Sequence, residues 1–550
     1  MRHALWVGAV AALGVILVAV PACSGSDTTG TPEDVDAAGS SSGSSGPGTS
    51  SGSSGSSSGT SGSSGDPDGG DPDGGDGGGS GGLKPTTLKA GNVVLIGVTT
   101  DATPHAIYVV PGAAPSLEAV PVAGGTAIVL ATLAATDRPI VRGGVVAWYT
   151  LINAGGIGTI NLWSKATGPK LAVAPNSVPG VFTASKDGTR VAFSVGATPV
   201  AGPPTATALA VGDMAAAAAT LDNEVLTGTS KMNVAAVAAD NCSPDIAFEG
   251  NTFFGAYCTG VVATAANARL VTVPAGSVTP AVLINNTAAN AGIVPSWQPD
   301  TAGTKLFVVG LPGAAVASQG KILTLAAGGA TATTANLEAA TDFGFMLGDG
   351  SAAIYMSGTT LKRGTAIAAP VITTLATGVT NLLDSSKDGT KLLVSTLAPS
   401  VDDLIDIHSI NTTTAAQTPA AVVATATTIP IGFNATGAHA LYLTDPTPTG
   451  GKLKSKPIAG GAETVLDPDA FDGYVVPTGT GVVALTKPVQ AAQGDPIFVT
   501  ISHIDSATGG TPAAIADSVP MQGGFFFSGK KLVYFRIAAA GAGLYVVDLP

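Results

Sequence analysis

The feature that most constrains this chain is a short turn followed by an apolar strand, a pair that recurs about ten times between residues 93 and 532. Ser185-Lys186-Asp187-Gly188-Thr189-Arg190 precedes Val191-Ala192-Phe193-Ser194-Val195, and Ser386-Lys387-Asp388-Gly389-Thr390-Lys391 precedes Leu392-Leu393-Val394-Ser395-Thr396. Looser copies run from Pro299 to Val309 and from Ser528 to Phe535. Asp-Gly and Gly-Gly between strand-forming runs mark hairpins, because glycine admits the positive φ that tight hairpin turns require. Self-similarity at a fixed period is the signature of a repeat architecture.

A second half of the unit is a strand, a Gly-rich turn and another strand, as in Leu117 to Leu130 and again in Leu453 to Leu466. Lys321-Ile322-Leu323-Thr324-Leu325 before Gly328-Gly329 is a third copy. With the strand after each turn as marker, repeats begin near Val93, Val145, Val191, Phe253, Leu306, Ala353, Leu392, Ala440, Val482 and Leu532, an average spacing of about 49 residues. That period fits a β-propeller blade of four strands. The spacing predicts an all-β domain over residues 83–550 of about 7 to 10 such repeats, as one large ring or two. One segment, Asp213 to Leu221 with its five consecutive alanines, has helical character and reads as an insertion.

Ser185 to Phe193 resembles the repeat of TolB-like and related WD-type β-propellers, in which a Ser/Pro-Asp-Gly turn precedes a strand and a Leu-Tyr-Val-Val-Asp-like strand follows; Leu544-Tyr545-Val546-Val547-Asp548-Leu549 matches that second element. The resemblance implies a fold and leaves function open. It also leads to an expectation about the chain ends: the array begins in mid-unit near Val93 and stops on a lone strand, so the two ends should complete one blade together and remove the exposed edge.

Residues 1–22 read as a secretory signal peptide, with Met1-Arg2-His3 before the apolar run Ala4 to Val20. Val20-Pro21-Ala22-Cys23 resembles the lipobox of bacterial lipoproteins, which implies that Cys23 receives a diacylglycerol and becomes the acylated N-terminus. Soluble secretion after cleavage of the same bond, and an uncleaved anchor, are the alternatives. Residues 24–82 are almost wholly Ser, Gly, Thr, Asp and Pro, too poor in apolar groups to offset the entropy of ordering, and are expected to form a disordered tether. Past residue 23 no apolar run reaches the roughly 18 to 20 residues that span a bilayer, despite a mean hydropathy of +0.40.

Charge excludes one class of partner. Nine of the 37 acids and none of the 24 bases lie in residues 24–82, and residues 83–550 carry a net charge of about −5. No basic patch of the kind that holds phosphate backbones is present, so nucleic acid is not expected as a partner.

Chemistry-bearing residues are sparse. Cys242 and Cys258 are the thiols left after Cys23, lie in an exported segment and flank the hairpin Ile246 to Phe254, so a structural disulfide is expected; no nearby His or CxxC spacing points to metal or redox chemistry. His105, His408, His439 and His503 are scattered through different repeats, and Asp402, Asp403 and Asp406 near His408 form the densest polar cluster. No catalytic residue, cofactor or metal is assigned. The composite expectation is a cell-envelope lipoprotein, at the outer membrane or cell surface, tied to the membrane by its lipid and presenting a propeller as a binding or scaffold module for a protein, peptide or polysaccharide. A propeller-based hydrolase or lyase with acids in its central channel is the alternative, and secretion or a periplasmic location the alternative address.

Overall fold

The short apolar runs become strands because each is bounded by a turn that reverses the chain within a few residues. In the computed structural model, described over residues 83–550 apart from 154, 198–207, 217–228, 235–243, 260–266, 287–295, 310–318, 327–331, 339, 398–404, 418–419, 424–428, 448–449, 493–494 and 539–540, the strands form antiparallel meanders. Eight sheets have four strands and one has seven. The seven-stranded sheet is two units fused through the 12-residue strand Thr464–Val475, whose pairing shifts register between Ala470 and Asp472. Ten four-stranded blades result: blade 1 (94–132), 2 (138–177), 3 (182–233), 4 (245–286), 5 (296–336), 6 (344–377), 7 (381–423), 8 (429–470), 9 (472–520) and 10 (525–548 with 86–90).

Nine of the ten sequence markers fall on the second strand of a blade; Val93 instead precedes the first strand of blade 1, whose second strand is His105–Val110. The segment with helical character shows a 3-10 turn at Met214–Ala216, and the rest of it lies outside the described residues. So do the leader, Cys23, the Ser/Gly segment and Cys242.

Both faces of the blades are buried, and this is why the second strands read as continuous apolar runs rather than alternating ones. In blade 1, Ala106 and Tyr108 point into the junction with blade 10 and Ile107 into the junction with blade 2. Ten apolar clusters fill the ten junctions between consecutive blades. The last of them joins Val93, Leu95 and Tyr108 of blade 1 to Val533, Phe535, Leu544 and Val546 of blade 10, so the succession of contacts closes on itself. A fully buried Phe or Leu contributes about 1.5 to 3 kcal/mol, which makes each junction a substantial part of the fold.

The expectation about the chain ends holds. Thr86–Ala90 pairs antiparallel with Gly543–Asp548 and becomes the outermost strand of blade 10. Lys89 on that strand forms a 3.1 Å ion pair with Glu118 of blade 1, which also accepts a hydrogen bond from the buried Tyr108 hydroxyl at 2.7 Å. The N-terminal strand is therefore pinned both within its blade and across the seam.

Candidate functional site

An up-and-down meander puts the connections between strands 1 and 2, and between 3 and 4, on one face of a propeller; connections between strands 2 and 3, and from one blade to the next, lie on the other. In all ten blades the strand 1 to 2 connection is only two to six residues long. On the opposite face the strand 2 to 3 connections reach 12 residues (196–207) and those between blades reach 11 (234–244), while the strand 3 to 4 connections of the first face take three to eight residues except in blade 3, where 214–228 takes 15. The first face is termed the turn face and the second the loop face.

The turn face is stapled. Asp187 accepts hydrogen bonds from the Ser185 hydroxyl at 2.7 Å and from the Thr189 amide and hydroxyl at 3.0 and 2.8 Å. Asp388 repeats the arrangement with Ser386 and Thr390. Hydrogen bonds to the charged form outweigh the cost of burial and hold both carboxyls below the usual range. Successive turns then bond to one another: the Thr100 amide donates to Gly143 O, Gly144 to Ser185 O, and Thr301 to Gly348 O. Gly188, at φ +73°, is required because a Cβ there would sit 2.7 Å from Gly144 O of the neighbouring turn.

Arg190 completes this face. Its guanidinium, 2% exposed, reaches from blade 3 into blade 4 and donates to the carbonyls of Asn251, Val273, Pro274 and Ser277 at 2.5 to 3.2 Å. The sequence marks Arg190 only as the end of a turn. Its acceptors lie 61 to 87 residues away and carry no side-chain signal.

The loop face holds the features available to a partner. A cavity of about 180 Å³ lies between the strand 2 to 3 connection of blade 8 and the passage to blade 9, lined by Asp445, Thr447, Gly450, Lys452, Pro468 and Asp469 among others. Asp445, at φ +51°, pairs with Lys452 at 3.3 Å. At the loop-face ends of blades 8, 9, 10, 1 and 2 in turn, Ile429, Val489, Ile537, Val94 and Leu151 are 41 to 83% exposed. Five consecutive blades thus each show one apolar side chain. Other exposed apolar residues lie on outermost strands, as Val129, Val282 and Val465 do, or in strand 3 to 4 connections of the turn face, as Val278, Ile367 and Val371 do.

The residues singled out in the sequence fall as follows. His408 is buried, with Nε2 2.8 Å from the Thr396 hydroxyl, and Asp406 stands two residues before it on Ile405–Asn411; Asp402 and Asp403 lie outside the described residues. His105, His439 and His503 are in three different blades. Among the described residues no group of three or more His, Cys, Asp or Glu is placed to hold a metal ion. Cys258 is buried on Thr252–Thr259 and is disulfide-bonded. Two inner-strand carboxyls are engaged by backbone: Asp384 accepts from the Phe433 amide of blade 8 at 2.8 Å, and Asp472 from the Gly473 amide at 2.7 Å, with burial pushing the Asp472 carboxyl up; Asp245 and Glu249 lie on the inner strand of blade 4, where burial pushes the Glu249 carboxyl up as well.

No protein-family model matches the chain, and no curated protein sequence matches it. Among solved structures it is similar to the tricorn protease, at 11% identity and a TM-score of 0.33 over 80% of this chain and 45% of that one. It is similar also to the β-propeller domain of the Trilobed protease from Pyrococcus furiosus, at 11% identity and a TM-score of 0.31 over 56% and 93%. TolB from Acinetobacter baumannii is 12% identical, with a TM-score of 0.25 over 53% and 79%. This chain spans less than half the length of the tricorn protease. The resemblance to TolB-like propellers is one of fold.

Proposed function

We propose that the protein is an exported, lipid-anchored β-propeller whose loop face binds a protein or peptide. The observation that carries this reading is the arc of Ile429, Val489, Ile537, Val94 and Leu151, which leaves apolar side chains in water on the loop face of five consecutive blades. Loops on a rigid scaffold are where binding residues concentrate, and apolar side chains left in water along one face favour a partner that buries them. A polypeptide with its own apolar side chains suits this arc better than a polysaccharide, which would call for exposed aromatic platforms. The catalytic alternative draws on channel acids; of the four on described inner strands, Asp384 and Asp472 serve the backbone, and Asp245 and Glu249 share the inner strand of blade 4.

Anchoring through Cys23 rests on the leader and the lipobox-like segment, and places the protein at the outer membrane or cell surface. The pairing of Cys242 with Cys258 rests on the sequence, in which the two flank the hairpin, and on Cys258 being disulfide-bonded.

The reading is tested with a displayed peptide library panned against the protein and against a Leu151→Asp, Val489→Asp, Ile537→Asp variant. Peptides enriched on the wild type and lost from a variant of unchanged melting temperature support it. Peptides that bind both alike, or only the turn face, reject it. Labelled palmitate should enter the wild type in its native host and not Cys23→Ala.

A further inference from the structure

The first residue of each second strand occupies a position fixed by one recurring hydrogen bond, in which the first residue of the turn donates its amide to that residue's carbonyl. Seven blades show it: the pairs include Ser185 and Arg190, Asp300 and Lys305, Thr99 and His105, and Asn434 and His439, while Ala352, Lys391 and Gly481 hold the position in blades 6, 7 and 9. At the junction of blades 3 and 4 the position holds Arg190, bonded to four carbonyls of the next blade. At the junction of blades 5 and 6 it holds Lys305, whose Nζ donates to Gly350 O of the next blade at 2.7 Å. These are permanent cations with acceptors waiting.

Blades 1 and 8 put histidine there. The His105 ring stands edge-on to Trp163 of blade 2, with centroids 5.5 Å apart; Nδ1 lies 2.6 Å from Thr103 O, and Nε2 is buried without a partner. His439 has its Nδ1 buried without a partner. The charged groups acting on His105 are Asp101 of its own turn and Lys165 of blade 2; the one acting on His439 is Asp505 of blade 9, in whose field the buried His503 also lies. Asp505 is itself engaged by Thr480, Ala507 and Thr508.

We propose that the junctions between blades 1 and 2 and between blades 8 and 9 are acid-sensitive joints in the ring, because a histidine with a buried, unpartnered ring nitrogen stands there at the position where blades 3 and 5 hold a cation bonded to the next blade. A proton added to Nε2 of His105 enters a site with no acceptor, against an indole ring; the charged imidazole gains water only if the blades part. Burial is the largest influence on both histidines and lowers their affinity for a proton below the ordinary value of 6.5. A group whose value is depressed in the folded state stabilises the closed junction above its unfolded pKa and loses that contribution as the pH falls below it. The two joints bracket blades 9, 10 and 1, which include the seam between the chain ends and three of the five apolar loop-face residues, so acidification loosens the ring on both sides of that arc.

Hydrogen exchange of the full chain at pH 7.5 and 5.5, corrected for intrinsic rates, tests this. Protection in His105–Val110 and in the strand beginning at His439 should fall on acidification, by up to about tenfold for each unit by which the histidine is depressed. The strands beginning at Arg190 and Lys305 should not change. His105→Gln should abolish the response at the first joint alone; at the second, where the buried His503 with its unpartnered Nε2 lies in the same field, His439→Gln together with His503→Gln should abolish it. A uniform change at all four junctions overturns the proposal, as does a response that survives its own substitution; the wild-type comparison of the four junctions decides even if a variant does not fold.

Discussion

The two faces of the ring are built from the same repeat and differ in what their connections do. On the turn face each connection is spent on its neighbour: Asp187 and Asp388 fold their own turns, and Gly143, Gly144 and Gly188 let adjacent turns touch backbone to backbone. On the loop face the side chains at the ends of the connections, Leu151 and Val489 foremost, are left to solvent. Stability is concentrated on one side, which frees the other to vary. A scaffold that holds its blades by one rim can change loops on the opposite rim without loosening the ring.

The largest effect that would sharpen this contrast is expected at Arg190. Replacing it with Met keeps the apolar stem but leaves the carbonyls of Asn251, Val273, Pro274 and Ser277 without their donor. Chemical denaturation should show a loss of about 3 to 5 kcal/mol, the range for breaking a buried charged network from one side. A smaller loss is expected for Gly188→Ala, which must adopt a left-handed backbone at about 1 to 2 kcal/mol and also press its Cβ against Gly144 O. Gly168→Ala, at φ +69° with open space around it, should show the backbone cost alone, so the difference between the two melts measures the turn-to-turn contact.

That much of the fold could be read from the residues. The Ser-x-Asp-Gly-Thr turns announce both a reversal and a period, and the marker strands count the blades correctly, because turn chemistry is local and each copy carries its own signal. What escaped is what depends on distant partners. Thr464–Val475 serves two blades, and nothing in its composition says that a strand will continue through the place where a loop is expected. The acceptors of Arg190 are backbone groups, invisible to any motif. The loop-face arc was illegible for a related reason: Ile429, Val489, Ile537, Val94 and Leu151 are far apart in sequence and share a face only once the blades are arranged in a circle.

Acid should act on the turn face more weakly than these substitutions. Hydrogen bonds from Thr480, Thr508 and the Ala507 amide outweigh burial and hold the Asp505 carboxyl at about 2. A carboxyl depressed in the folded state contributes stability that is present above its unfolded value near 3.8 and lost as the pH falls towards 2. Melting temperatures of Asp505→Asn should accordingly decline less over that window than those of the wild type. The smallest effect is expected on the loop face, where Leu151→Ser should leave stability within about 0.5 kcal/mol of the wild type, since the side chain is 83% exposed. A large loss there would erase the distinction between the faces.

Closure of the ring is the claim on which the rest stands, because only a closed succession of blades gives the two faces their separate roles. It is tested most directly by deleting Thr86–Ala90, the strand that completes blade 10, and comparing thermal unfolding with that of the intact chain. A closed ring should lose stability as a whole, with one cooperative transition displaced to lower temperature. An open array would fray only at its end, and a melt indistinguishable from that of the intact protein would contradict the account.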